Sequence, residues 1–161
     1  MLCLFSQGLA GPITPGAPGV LTVTPERMRT ALEPLLLKYG VDAVFVGHNH
    51  NAERTHAIAN LRVVSRGRTL HDKGPHEPPA TLYESPGAPI HWVVGSGGAD
   101  PSTIQWKNAS EVPWLATQLY DDAREATNWG WAKVEANRTA FEVVFMDSYR
   151  KQQLDRVIIT K

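Results

Sequence analysis

The sequence predicts an α/β (α+β) fold, and two observations carry that prediction. A helical apolar stripe between Pro25 and Gly40 runs straight into the β-rich segment 41–46, which pairs a covering helix with a strand. Further on, short apolar runs at 90–94, 131–136, 139–146 and 157–159 alternate with Gly, Asn and Pro turn signals, as strands do.

The first six residues, Met1 to Ser6, form a short apolar run with no basic residue before it. It reads as a strand rather than a secretory signal. A Gly/Pro-rich loop follows over 8–19. Thr24 is the expected helix N-cap, with Pro25 in the first turn. Met28, Ala31, Leu32, Leu35 and Leu36 fall on one helical stripe. Pro34 is expected to kink or split that helix, because it has no N–H and crowds Thr30. Gly40 is a natural stop, with Lys38 favourably placed in the last turn.

The strand 41–46 is almost wholly apolar, so cover on both faces is expected. Gly47-His48-Asn49-His50 leaves its carboxyl end, the edge where helix–strand proteins usually bind ligands. Residues 62–89 read as loops around one or two short strands. The strand 90–94 closes on Gly95-Ser96-Gly97-Gly98, and 112–125 is expected to be partly helical. The segments 131–136 and 139–146 form a hairpin with Asn137-Arg138 at its tip, and 157–159 supplies the last strand.

The chain has 161 residues, which suits one domain. Its 16 basic side chains balance 16 acidic ones, so no basic excess marks a nucleic-acid binder. No apolar run approaches the roughly 20 residues of a membrane span. The single Cys3 excludes an internal disulfide and a cysteine zinc framework.

His48 and His50 are the sharpest chemical signal. In an extended segment, residues two apart point the same way, so both imidazoles can converge on one metal ion. By spacing alone, surface or packed histidines fit as well. His71-Asp72 with His76 lies in a Gly/Pro loop and reads as solvated surface. His91 reads as a packed ring within its strand. Gly95-Ser96-Gly97-Gly98 is not a dinucleotide loop, because Asp100-Pro101 stands where the capping helix should begin. The sequence names no catalytic residue and no organic-cofactor site. Asn108-Ala109-Ser110 and Asn137-Arg138-Thr139 match the N-glycosylation pattern.

The run from Leu32 through Gly47-His48-Asn49-His50 to Glu53-Arg54-Thr55 resembles the purple acid phosphatases, of the calcineurin-like metallophosphoesterase family. Pro89 to Gly98 resembles that family's later strand and glycine turn. Trp129-Gly130-Trp131, Asn137-Arg138-Thr139 and Asp155 with Val157-Ile158-Ile159 resemble its C-terminal strands. The resemblance implies the C-terminal portion of a metallophosphoesterase two-sheet sandwich flanked by helices. Residues 1–60 would then be the end of the core, with the helix, strand and GHNH metal loop. Residues 61–161 would be a strand-rich C-terminal region.

The resemblance further implies acid phosphatase-type hydrolysis of phosphate monoesters at a binuclear centre, iron plus zinc, manganese or a second iron. His48 and His50 would be two of its ligands. The family's DxG, GDxxY and GNH ligand motifs do not precede residue 25, and 1–6 resembles the stretch just after a further ligand histidine. The centre is therefore expected to be incomplete in this chain, which would be inactive alone, with another chain as one source of the missing half-site. The alternative is a non-catalytic truncated or degenerate module that acts by association. Secretion or a vacuolar or lysosomal location is implied by the resemblance. Ala52, Asn49, Ser96, Ala99 and Trp131 depart from the family's usual residues, and Glu53 and Arg54 are expected to pair locally or cap backbone.

Overall fold

The computed structural model describes residues 25–47, 49–71, 78–98, 112–121, 126–127 and 129–161. The expected strand 1–6, the loop 8–19, the Thr24 cap, Asp72, His76 and Asn108 lie outside them. Helix α1 (Pro25–Lys38) ends as its sequence demands. Gly40 adopts a φ of 59°, its N–H donates to Leu37 O at 3.2 Å, and Val41 N–H donates to Leu36 O at 2.9 Å.

Two features of α1 differ from the sequence expectation. The helix runs through Pro34 as one element. Proline costs it a single hydrogen bond to Thr30, and Thr30 is exposed, so solvent can satisfy the freed carbonyl. Nor does the predicted apolar stripe face the core. Leu32 and Leu35 are 40% and 49% exposed, whereas Glu33 is buried and Leu37 packs on the core. A polar contact sets this orientation: Glu33 Oε1 accepts from Asn60 N–H at 2.9 Å, and Arg29 donates to Oε2 at 3.0 Å.

The strands among the described residues form two mixed five-stranded sheets and a small ribbon. In the first sheet, β1 (Ala43–Val46) runs parallel to β6 (Ile90–Val94), which pairs antiparallel with β2 (Ala52–Ala59). The far edge of β2 is shared by β3 (Arg62–Ser65) and β7 (Leu115–Gln118). In the second sheet, β10 (Gly130–Ala136), β11 (Ala140–Asp147) and β12 (Gln153–Thr160) form a meander. β12 then runs parallel to β5 (Ala80–Glu84), which pairs with β4 (Arg68–Leu70). The ribbon joins β8 (Tyr120–Asp121) to β9 (Ala126–Thr127).

The sheets face each other across one core. Ala57, Ile90 and Trp92 of the first sheet meet Tyr83, Val143, Val157 and Ile159 of the second. Alternation sets the register, and a bulge in β2 between Arg54 and Ala57 moves its inward parity from Ala52 and Arg54 to Ala57. The chain changes sheets between β3 and β4 at Gly67. Its φ is 67°, and a Cβ there would lie 2.8 Å from Leu82 O.

The hairpin and the strand at 90–94 match the sequence reading. Three expectations do not. The described part of 62–89 holds three strands, because alternation in short polar strands is hidden by their exposed edges. The described part of 112–125 is strand rather than helix, since β7 is drafted as a neighbour of β2. β1 is half-buried rather than covered on both faces, with Phe45 40% exposed, because among the described residues it pairs only with β6.

Candidate functional site

The Gly47–His50 turn lies at the carboxyl end of β1 and delivers the chain into β2. Asn49 N–H donates to Gly47 O at 3.0 Å, closing the turn. Gly95, at the end of β6, packs against its far side. Gly95 N–H donates to Asn51 O at 3.1 Å, and a Cβ on Gly95 would collide with the Asn49 carbonyl. The glycine that follows the β6 strand is thus a steric requirement of the histidine turn. Ser96, next in line, is fully buried and accepts from Gly130 N–H at 3.0 Å, which ties this turn to the second sheet.

His50 is half-buried in this turn, and His48 lies outside the described residues. Among the described residues, no group of three or more His, Cys, Asp or Glu side chains is placed to hold a metal ion. One imidazole does not make a metal centre, since a catalytic zinc takes three protein ligands. The described residues therefore do not by themselves fit the binuclear group.

Glu53 and Arg54 follow the turn with opposite orientations. Arg54 points into the space between the sheets, where its guanidinium forks onto Asp155: Nε donates to Oδ2 at 2.7 Å and Nη2 to Oδ1 at 3.0 Å. It also donates to Tyr83 Oη and Thr81 Oγ1, each at 3.3 Å. Burial opposes its charge, and Asp155 with Tyr83 outweighs that penalty. The expected local pairing of Glu53 with Arg54 does not form, because neighbours on a strand face opposite ways. Glu53 instead accepts from Asn51 Nδ2 at 2.6 Å. Burial pushes its carboxyl up to about 7, against the pull of that hydrogen bond.

Two other histidines are neutral packing groups. His91 is 2% exposed within β6, and burial lowers its pKa to about 4. His56 is likewise lowered to about 4, by burial first and then by Arg66 and Arg54. Arg66 Nη1 lies 2.9 Å from His56 Nε2. His71 is exposed, in keeping with a surface role. At the opposite end of the second sheet, Asn137 is exposed at the hairpin tip. Its Oδ1 accepts from Thr139 N–H and Ala140 N–H at 2.9 Å and from Thr139 Oγ1 at 3.1 Å. Sequence reasoning missed Asn51, Tyr83 and Gln118 as partners of this region. Asn51 and Glu53 two apart in a strand was the one available signal for a shared face.

Comparison with known proteins adds what the geometry alone does not. Residues 88–156 match a family model described as iron/zinc purple acid phosphatase-like protein C. Purple acid phosphatase 18 of Arabidopsis thaliana is 30% identical over 109 residues, 66% of this chain and 25% of the relative. The chain carries a purple acid phosphatase-like C-terminal part.

Two further relatives bracket the purple acid phosphatase likeness. Mouse acid phosphatase type 7 is 33% identical over 88 residues, 55% of this chain and 17% of the relative. Probable inactive purple acid phosphatase 9 of Arabidopsis thaliana is 27% identical over 137 residues, 83% of this chain and 18% of the relative. Among solved structures, purple acid phosphatase PPD1 from yellow lupin seeds superposes with a TM-score of 0.57 at 24% identity. That match covers 80% of this chain and 19% of the lupin chain. The chain spans a quarter or less of the length of these curated relatives. No described helix is long and apolar enough to cross a membrane.

Proposed function

We propose that this chain is the part of a purple acid phosphatase-type enzyme that contributes His48 and His50 to a binuclear centre, and that it is inactive alone. One observation carries the reading. The Gly47–His50 turn leaves the carboxyl end of β1, and the strand beside β1 opens the stretch matched to the phosphatase C-terminal family. When bound between His48, His50 and the remaining donors, iron with zinc, manganese or a second iron would supply Lewis-acid activation of a phosphate monoester and of water. This chain's own residues hold the histidine turn and close the sheet behind it. The remaining donors come from outside the described residues, in a longer polypeptide or in another chain.

In this reading residues 1–60 close the metallophosphoesterase core, and residues 61–161 form the strand-rich C-terminal region. The protein is secreted or vacuolar/lysosomal, and Asn137 and Asn108 are glycan acceptors. The exposed hairpin tip at Asn137 supports the first of these. A second reading, a non-catalytic module that acts by association, is favoured by the exposed Leu32, Leu35 and Phe45. The likeness to a probable inactive relative points the same way.

The test is p-nitrophenyl phosphate hydrolysis and retained metal on the purified 161-residue chain after loading with iron and zinc, beside a His48→Ala/His50→Ala variant. The expected result is no turnover above the variant. Two retained metals with turnover that the variant loses would show a complete site and overturn the half-site reading.

A further inference from the structure

β2 separates two chemistries across the first sheet. Ala52 and Arg54 face the second sheet: Ala52 packs with Leu119, its neighbour after β7, and on Phe145, and Arg54 meets Asp155. Glu53 and Thr55 have the other parity and face away, and Asn51, just before β2, joins Glu53 by a side-chain hydrogen bond. That outer face is dry: Glu53 is 4% exposed, Asn51 7% and Thr55 0%. The register sets Glu53 directly opposite Gln118 on β7, so the two side chains share a face, with Cβ atoms about 5 Å apart.

Three polar atoms of this cluster are buried without a hydrogen-bond partner: Glu53 Oε2, Asn51 Oδ1 and Gln118 Nε2. With the Glu53 carboxylate ionised they are two acceptors and one donor. That set matches a single water molecule donating twice and accepting once, and buried waters typically make about three such bonds. Asn51 is also the residue that carries the histidine turn into β2. Its side chain is held by Glu53 at 2.6 Å and its carbonyl by Gly95 at 3.1 Å.

We propose that Glu53 is a positioning residue for the histidine turn, acting through Asn51 and through one buried water shared with Gln118. A turn pinned at side chain and main chain presents His50 in one orientation, whatever ligand that ring takes. The inference goes beyond the phosphatase reading and stands or falls without it, because its readout needs no metal and no turnover.

The experiment compares Glu53→Gln and Glu53→Leu in the full chain. Backbone order of residues 49–51 is read by 15N relaxation, together with the urea midpoint. Glutamine keeps an acceptor for Asn51 and a polar group for the water, so the turn stays rigid. Leucine removes both, and order parameters of residues 49–51 fall from about 0.85 to below about 0.6 while strand residues keep theirs. Wild-type order in Glu53→Leu, or equal loosening in both variants, would overturn the proposal. Should Glu53→Leu fail to fold, Asn51→Ala cuts the same link; a turn that stays rigid in it contradicts the proposal equally.

Discussion

At residue 53 the strand buries a carboxyl group whose acid strength falls until it titrates at about 7, because burial penalises its charge more than the Asn51 hydrogen bond favours it. In the unfolded chain the same group titrates at its ordinary 4.5. Between those values the folded state holds the proton more often than the unfolded state does. Stability contributed at this position is therefore present below pH 4.5 and lost as pH rises through 7. Glu53→Gln has no such proton to lose. Relative to the wild type, it should gain roughly 2–3 kcal/mol of unfolding free energy between pH 5 and pH 8, measured by urea denaturation. An unchanged difference at the two pH values would place the carboxyl in water. None of this was legible from the sequence, where Glu53 was expected to pair locally with Arg54 or to cap backbone. Burial of a strand's outer face depends on what covers it, and one-dimensional pattern does not carry that.

Between elements, Arg54 and Asp155 do what neither sheet does alone. They are 101 positions apart in the chain, and their paired hydrogen bonds of 2.7 and 3.0 Å bridge β2 to β12. Removing one partner of such a pair leaves the other charge buried and uncompensated. Arg54→Ala should cost about 3–5 kcal/mol, read as a lower urea midpoint. Arg54→Lys should recover only part of that, because a single ammonium cannot reproduce the fork. A loss under about 1 kcal/mol would mean that water already reaches the pair. The hairpin with its Asn137-Arg138 tip and the strand at 90–94 were legible from local pattern, since alternation and turn residues sit side by side in the chain. The helix face was not. A buried Glu33 reaching Asn60 turns α1 so that Leu32 and Leu35 stay exposed, and apolar periodicity gives no warning of such a polar anchor.

For the whole molecule, the order of motifs along the chain was more informative than any single residue. The succession of helix, strand, GHNH turn, glycine turn and hairpin was readable, and its last two members, the glycine turn and the hairpin, fall within the family match over residues 88–156. The packing of the two sheets through Trp92, Tyr83 and Val157 was not readable, because it depends on chain crossings at Gly67 and between β5 and β6. The proposed function makes the histidine turn one side of a metal site. A zinc titration of the chain, followed by the imidazole 1H–15N NMR signals, tests it most directly. His48 and His50 should shift together and saturably, with His91 unmoved because it is buried in β6, and His56 unmoved because Arg66 and Tyr83 lie on its ring nitrogens. Zinc that leaves His48 and His50 unmoved, or that moves every histidine alike, would contradict the account.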